Sequence, residues 1–124
     1  MSGGLPSAHM IVYPFDGGGA PLAGGKTVYI PDVPFSCTIG GWSLAVDQGT
    51  ATADIWVAPD GTTLPTAANS IVGSAPPAVA AGTRIRSTIM TNWNTSIPAH
   101  SSLAFNLVSV SGATQVSVGL ECDQ

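Results

Sequence analysis

From Lys26 onward the chain is interrupted every few residues by Gly, Pro, Asn or Asp, and between the breaks its apolar residues recur with a period of two. That pattern excludes long amphipathic helices and leaves strands joined by turns. The clearest run covers residues 51–58, where Ala51, Ala53, Ile55 and Val57 share one face and Thr52, Asp54, Trp56 and Ala58 the other. It ends at Pro59-Asp60-Gly61-Thr62, a strong turn signal. About eight such runs are present.

The breaks suggest how the runs connect. Pro31-Asp32-Val33-Pro34 predicts a kink after the strand 26–30, and Gly40-Gly41 predicts a turn between strands at 35–39 and 42–46. Residues 64–82, rich in Ala, Pro and Ser, read as a long structured connection with one helical turn around 66–71. Ser111-Gly112-Ala113 predicts a hairpin joining 103–110 to 114–122. Short strands, one long connection and almost no helix fit an all-β, antiparallel two-sheet sandwich of jelly-roll type over residues 26–124. Residues 1–25 carry Gly-Gly, Leu-Pro, Tyr-Pro and Gly17-Gly18-Gly19, and read as an extended Gly/Pro-rich arm with one short strand. Met10, Ile11, Val12, Tyr13 and Phe15 are its candidate interface residues.

Composition narrows the function. The 124 residues suit a single core, and only 8% are charged, against roughly a quarter in an average soluble domain. A surface of small neutral residues is a poor design for a free monomer and a good one for a subunit covered by neighbours. Three basic residues, Lys26, Arg84 and Arg86, are too few to neutralise a run of phosphates, so neither nucleic acid nor an anionic membrane is expected as a partner. No apolar run approaches the length of a membrane span, and no signal peptide is evident, so synthesis in the cytoplasm is expected. In that compartment Cys37 and Cys122 are expected as buried reduced thiols, with a disulfide the less favoured alternative.

Signals for chemistry are weak. No G-x-S-x-G occurs, and His9 and His100 fall in the arm and in a turn, so the reading is of a protein that is not an enzyme. Asp47 and Asp54 are the one carboxylate pair bracketing a likely hairpin. Asp47 is better read as accepting backbone hydrogen bonds in the turn Asp47-Gln48-Gly49. Asp54, mid-strand where aspartate is disfavoured, is a candidate structural ion-pair partner for Arg84 or Arg86. The acids do not follow the calcium-loop pattern, so no metal or cofactor is expected. Trp42, Trp56 and Trp93 read first as core or interface residues. The alternative is a sugar-stacking site, with Trp93, Asn92 and Asn94 as candidate glycan contacts.

The segments Pro34-Phe35-Ser36-Cys37-Thr38-Ile39, Gly41-Trp42-Ser43-Leu44-Ala45-Val46-Asp47-Gln48 and Ala53-Asp54-Ile55-Trp56-Val57 are followed by Asn69-Ser70-Ile71-Val72-Gly73-Ser74-Ala75-Pro76-Pro77, Asn92-Trp93-Asn94-Thr95-Ser96-Ile97 and Leu103-Ala104-Phe105-Asn106-Leu107. Taken in order they resemble a β-sandwich module of tailed-bacteriophage virion structural proteins, of the capsid-decoration or tail-fibre type. Ala99-His100 departs from the Gly-Asp of related modules. The resemblance implies a virion surface location, on capsid or tail. A capsid decoration or cement protein is the leading expectation, and a tail-fibre or tail-tip receptor-binding module the alternative. The partners implied are further copies of the chain in a homotrimer or homodimer, the major capsid protein or other virion proteins, and for the alternative a host surface glycan.

Overall fold

A computed structural model describes residues 8–59, 62–79 and 83–123. Among them nine strands form: β1 Ala8–Asp16, β2 Thr27–Val33, β3 Cys37–Val46, β4 Thr50–Ala58, β5 Ala78–Val79, β6 Arg84–Ser87, β7 Ser96–Ile97, β8 Ser101–Ser111 and β9 Gln115–Asp123. One 3-10 turn, Ala67–Asn69, interrupts the long connection where a helical turn was expected. Thr66 caps it by accepting from Ala68 N, and the Asn69 side chain accepts from Thr66 N in return.

The strands make two antiparallel sheets. One runs β1-β9-β3-β6, with β7 pairing β3 off that path, and the other runs β2-β8-β4-β5. Leaving out the short β7, each strand of the first half of the chain lies beside one from the second half in the interleaved order of a jelly roll. The fold is an all-β sandwich of that type.

Alternation fills the space between the sheets. Leu44, Val116, Val118, Leu120 and Cys122 point inward from the five-stranded sheet, and Ala53, Ile55, Leu103, Phe105 and Leu107 meet them from the other. Phe105, Leu44 and Ile55 are fully buried, as expected for residues on the facing sides of two sheets.

Three connections differ from the sequence reading. Residues 37–46 are one strand, not two, because Gly40-Gly41 forms a bulge against β9 instead of a turn. A Cβ at Gly41 would lie 3.0 Å from Glu121 Oε2 and from Ser87 O, and glycine is what lets the carboxylate lie over the strand. Second, Ser111-Gly112-Ala113 closes no hairpin, since β8 belongs to one sheet and β9 to the other. The corner is tied to the β3–β4 turn by Gln48 Nε2, which donates to Gly112 O at 3.1 Å. Gly49 sits there at φ +73°, where any Cβ would collide with Ser111 O. Third, within residues 1–25 the segment Ala8–Asp16 pairs with β9 along its whole length, so the short strand expected there is nine residues of the sandwich itself.

The cysteines also depart from expectation. Cys37 and Cys122 are joined by a disulfide between neighbouring strands, not held as reduced thiols. Both side chains face the core, and the β3–β9 register brings their Cα atoms to 5.5 Å, inside the range a disulfide requires.

Candidate functional site

The outer edge of the five-stranded sheet is β1. Gly17 N donates to Thr114 O at 2.8 Å in continuation of the β1–β9 register, so the odd-numbered residues of β1 hydrogen-bond β9. The even-numbered ones then direct their backbone groups away from the sheet. Pro14, which has no N–H, falls in this set, as an edge strand permits. Ala8, Met10, Val12 and Asp16 carry the remaining outward N–H groups, and of these Met10 and Val12 are apolar residues 53% and 52% exposed. Both lie over Gly119, where a Cβ would come within 3.2 Å of Met10 Cε and 3.4 Å of Val12 Cγ2. Ile11, Tyr13 and Phe15 alternate inward, with Phe15 in the core and the other two packed against it. Of the five candidate interface residues, Met10 and Val12 therefore show their side chains outward. Between β1 and β2, the facing edge of the other sheet, runs a groove whose lining includes Met10, Ile11, Val12, Ile30 and Phe35 together with the charged Asp32.

The expected ion pair between Asp54 and Arg84 or Arg86 does not form, because the arginines lie on β6 in the opposite sheet. Arg86 instead makes a two-point contact with Glu121, through Nε at 2.6 Å and Nη2 at 2.9 Å. These hydrogen bonds, with the attraction between the charges, raise the Arg86 pKa and lower that of Glu121.

Asp54 has a different task on the outward face of the four-stranded sheet. Its Oδ2 accepts the indole N–H of Trp56 at 3.0 Å, and its Oδ1 accepts Ser70 Oγ at 2.6 Å and Ile55 N at 2.8 Å. The β2–β8–β4 register places Tyr29, Ala104 and Trp56 in one row and Thr27, Asn106 and Asp54 in the next. Asn106 Nδ2 donates to Thr27 Oγ1 at 2.8 Å. Period-two alternation had already put Asp54 and Trp56 on one face. Ser70 and Tyr29 carried no such signal, because long-range pairing brings them in.

Trp93 cannot act as an exposed stacking ring, since it is 8% exposed and donates its indole N–H to Ala75 O at 2.9 Å. Asn92 occupies a turn at φ 68° and donates to Ser74 Oγ, while Asn94 lines a polar cleft with Asn69, Ser70 and Ser96. Of the expected glycan contacts, Trp93 therefore offers no exposed ring. Trp42, 7% exposed, joins the core.

Asp47 accepts backbone N–H groups from Gln48, Thr114 and Gln115, at 2.9, 2.9 and 3.1 Å, as the turn reading anticipated. At the Ala99-His100 turn, His100 takes φ 64° and its Nδ1 lies 3.1 Å from Asp32 Oδ1. Among the described residues no three His, Cys, Asp or Glu side chains converge as metal ligands, and no helix is long and apolar enough to cross a membrane.

No protein-family model matches the chain, and no curated protein matches it in sequence. Solved structures do align with it. The K3 cleaved adhesin domain of Lys-gingipain from Porphyromonas gingivalis w83 aligns with a TM-score of 0.50 at 14% identity, over 93% of this chain and 73% of that one. The SPBc2 prophage-derived protein YomS aligns at 0.43 and 12% identity, over 97% of this chain and 99% of that one. CsCBM6-3 from Clostridium stercorarium, solved with cellobiose, aligns at 0.45 and 10% identity, over 94% of this chain and 83% of that one.

Proposed function

We propose that the chain is a non-enzymatic structural subunit of a tailed-phage virion, a capsid decoration or cement protein that joins its neighbours through the β1 edge. The observation carrying this reading is the edge itself. Nine residues of strand run without a single Lys or Arg, with backbone groups directed outward and Met10 and Val12 more than half exposed. Sheet edges of monomers are usually guarded by charge, proline, bulges or a covering loop, and β1 carries such guards, Pro14 and Asp16, at its C-terminal end. The Met10–Val12 stretch, which among the described residues is paired on its β9 side only, suits the addition of a strand from a neighbouring subunit, with main-chain hydrogen bonds supplying affinity. Antiparallel pairing of β1 with β1 of a second copy gives a twofold dimer, and a strand of a shell protein fits the same edge.

The remaining features agree. Carboxylates that an enzyme would need free, Asp47 and Asp54, are engaged in structural hydrogen bonds. A disulfide between neighbouring strands of one sheet suits a particle that works outside the cell, after release from the reducing cytoplasm.

The test uses the geometry of the edge. Val12→Pro removes an outward N–H without touching the β1–β9 bonds, so the variant is expected to fold normally and to lose both self-association in sedimentation analysis and attachment to virions. A folded Val12→Pro protein that assembles as the parent does would rule the edge out. Immunogold labelling of purified particles separates this reading from a tail-fibre or tail-tip module: gold over the head fits decoration, and gold confined to the tail fits receptor binding.

A further inference from the structure

We infer that the outward face of the four-stranded sheet is a binding surface for neutral oligosaccharides, with the rings of Trp56 and Tyr29 as its stacking platform and Thr27, Asn106 and Asp54 as its polar rim. The inference stands apart from the assembly reading, because β1 belongs to the other sheet.

Its basis is the contrast between two tryptophans. Trp93 is buried, and one backbone carbonyl satisfies its indole N–H. Trp56 points outward and is partly exposed, where water would satisfy the same group. Yet a chain of side chains holds it: Ser70 Oγ donates to Asp54 Oδ1, and Asp54 Oδ2 accepts from Trp56 Nε1. Aspartate in the middle of a strand is unfavourable, and here it fixes the orientation of one solvent-side ring. A ring fixed before the ligand arrives loses little freedom on binding.

The neighbours fit a sugar. In the same row as Trp56, across Ala104, stands Tyr29, 43% exposed. Two strand spacings separate them, about 10 Å, so that each ring can stack on the C–H face of a different unit of one short oligosaccharide. Ala104 between them is fully buried, so the side chains around it close over the sheet at that point. The next row offers a carboxamide, a hydroxyl and a carboxylate, which together donate to and accept from sugar hydroxyls. The carboxylate already accepts three hydrogen bonds, so the rim has no demand for a charged sugar.

The experiment titrates the full chain with cello-, xylo-, manno- and malto-oligosaccharides, read by tryptophan fluorescence and by saturation-transfer NMR. At least one series is expected to bind, with roughly tenfold loss of affinity in Trp56→Ala and in Tyr29→Ala. Asp54→Asn tests the positioning role: it is expected to weaken binding and broaden the Trp56 indole N–H resonance, while Asn94→Ala changes nothing. If Trp56→Ala fails to fold, Tyr29→Ala and the saturation-transfer map decide the matter. The inference is overturned if none of the four series binds, or if binding survives in folded variants lacking either ring. A Val12→Pro protein that no longer assembles but still binds sugar separates this face from the β1 edge.

Discussion

At the scale of single residues, Asp47 shows how far a local signal reaches. The sequence Asp47-Gln48-Gly49 identifies a turn carboxylate, and the structure bears that out, but most of the partners lie elsewhere. Thr114, 67 residues away, donates through both its hydroxyl and its N–H. The Thr114 hydroxyl is the main reason the Asp47 pKa falls from 3.8 to about 2, helped by backbone N–H groups of Gln115, Thr114 and Gln48 against a smaller opposing effect of burial. Because the folded-state value lies below the unfolded one, the stabilisation is complete above the ordinary carboxylate range and is lost as pH falls toward 2. Asp47→Asn is therefore expected to lower Tm near neutral pH and to flatten the Tm–pH curve between about 4 and 2. Thermal melts of both proteins across that range check it, and parallel curves would show that Asp47 is not the group responsible. Asp54 teaches the same lesson. Its face was legible from alternation, but its partner was misassigned, because which side chain comes opposite depends on strand order.

Among the elements, periodicity located the strands and their inner faces well. The alternation in 51–58 became β4 with Ala51, Ala53, Ile55 and Val57 buried, and 114–122 became β9 with Val116, Val118, Leu120 and Cys122 inward. Pairing was not legible. Gly40-Gly41 resembles a turn locally, and only the continuous pairing of 38–46 with β9 shows it to be a bulge. Ser111-Gly112-Ala113 resembles a hairpin, yet β8 and β9 enter opposite sheets, a choice of partners that the turn residues do not encode. The disulfide was missed for a related reason, since compartment and composition say nothing of a 5.5 Å Cα separation set by the register of β3 and β9. It spans a sequence separation of 85 residues, and a loop of that size corresponds to about 4.5 kcal/mol in the chain-entropy model. Reduction, or Cys37→Ala with Cys122→Ala, is expected to lower stability by an amount of that order while leaving the far-UV spectrum unchanged. Denaturant melts with and without reductant measure it. Identical midpoints would mean that the bond contributes nothing to the folded state.

For the whole molecule the governing fact is how little charge it carries: three basic and seven acidic residues, with Arg86 already held by Glu121. Association driven by charge is weakened by salt, because the Debye length contracts to about 3 Å at 1 M. Association through a strand edge and exposed apolar side chains has no such dependence, and salting-out strengthens it if anything. On the proposed function, low charge and the Met10–Val12 edge describe one property, a surface covered through contacts that ionic strength does not screen. The proposed attachment is accordingly expected to survive washing of particles in about 1 M NaCl, where screened ion pairs fail. It should yield to moderate urea, which solvates both peptide groups and apolar surface. The two washes, followed by quantification of the protein left on sedimented particles, discriminate directly. Release by salt at low urea would assign attachment to the few charges, Lys26 and Arg84 first among them, and remove β1 from the interface; retention in salt with release in urea leaves the strand edge as the surface that holds the particle.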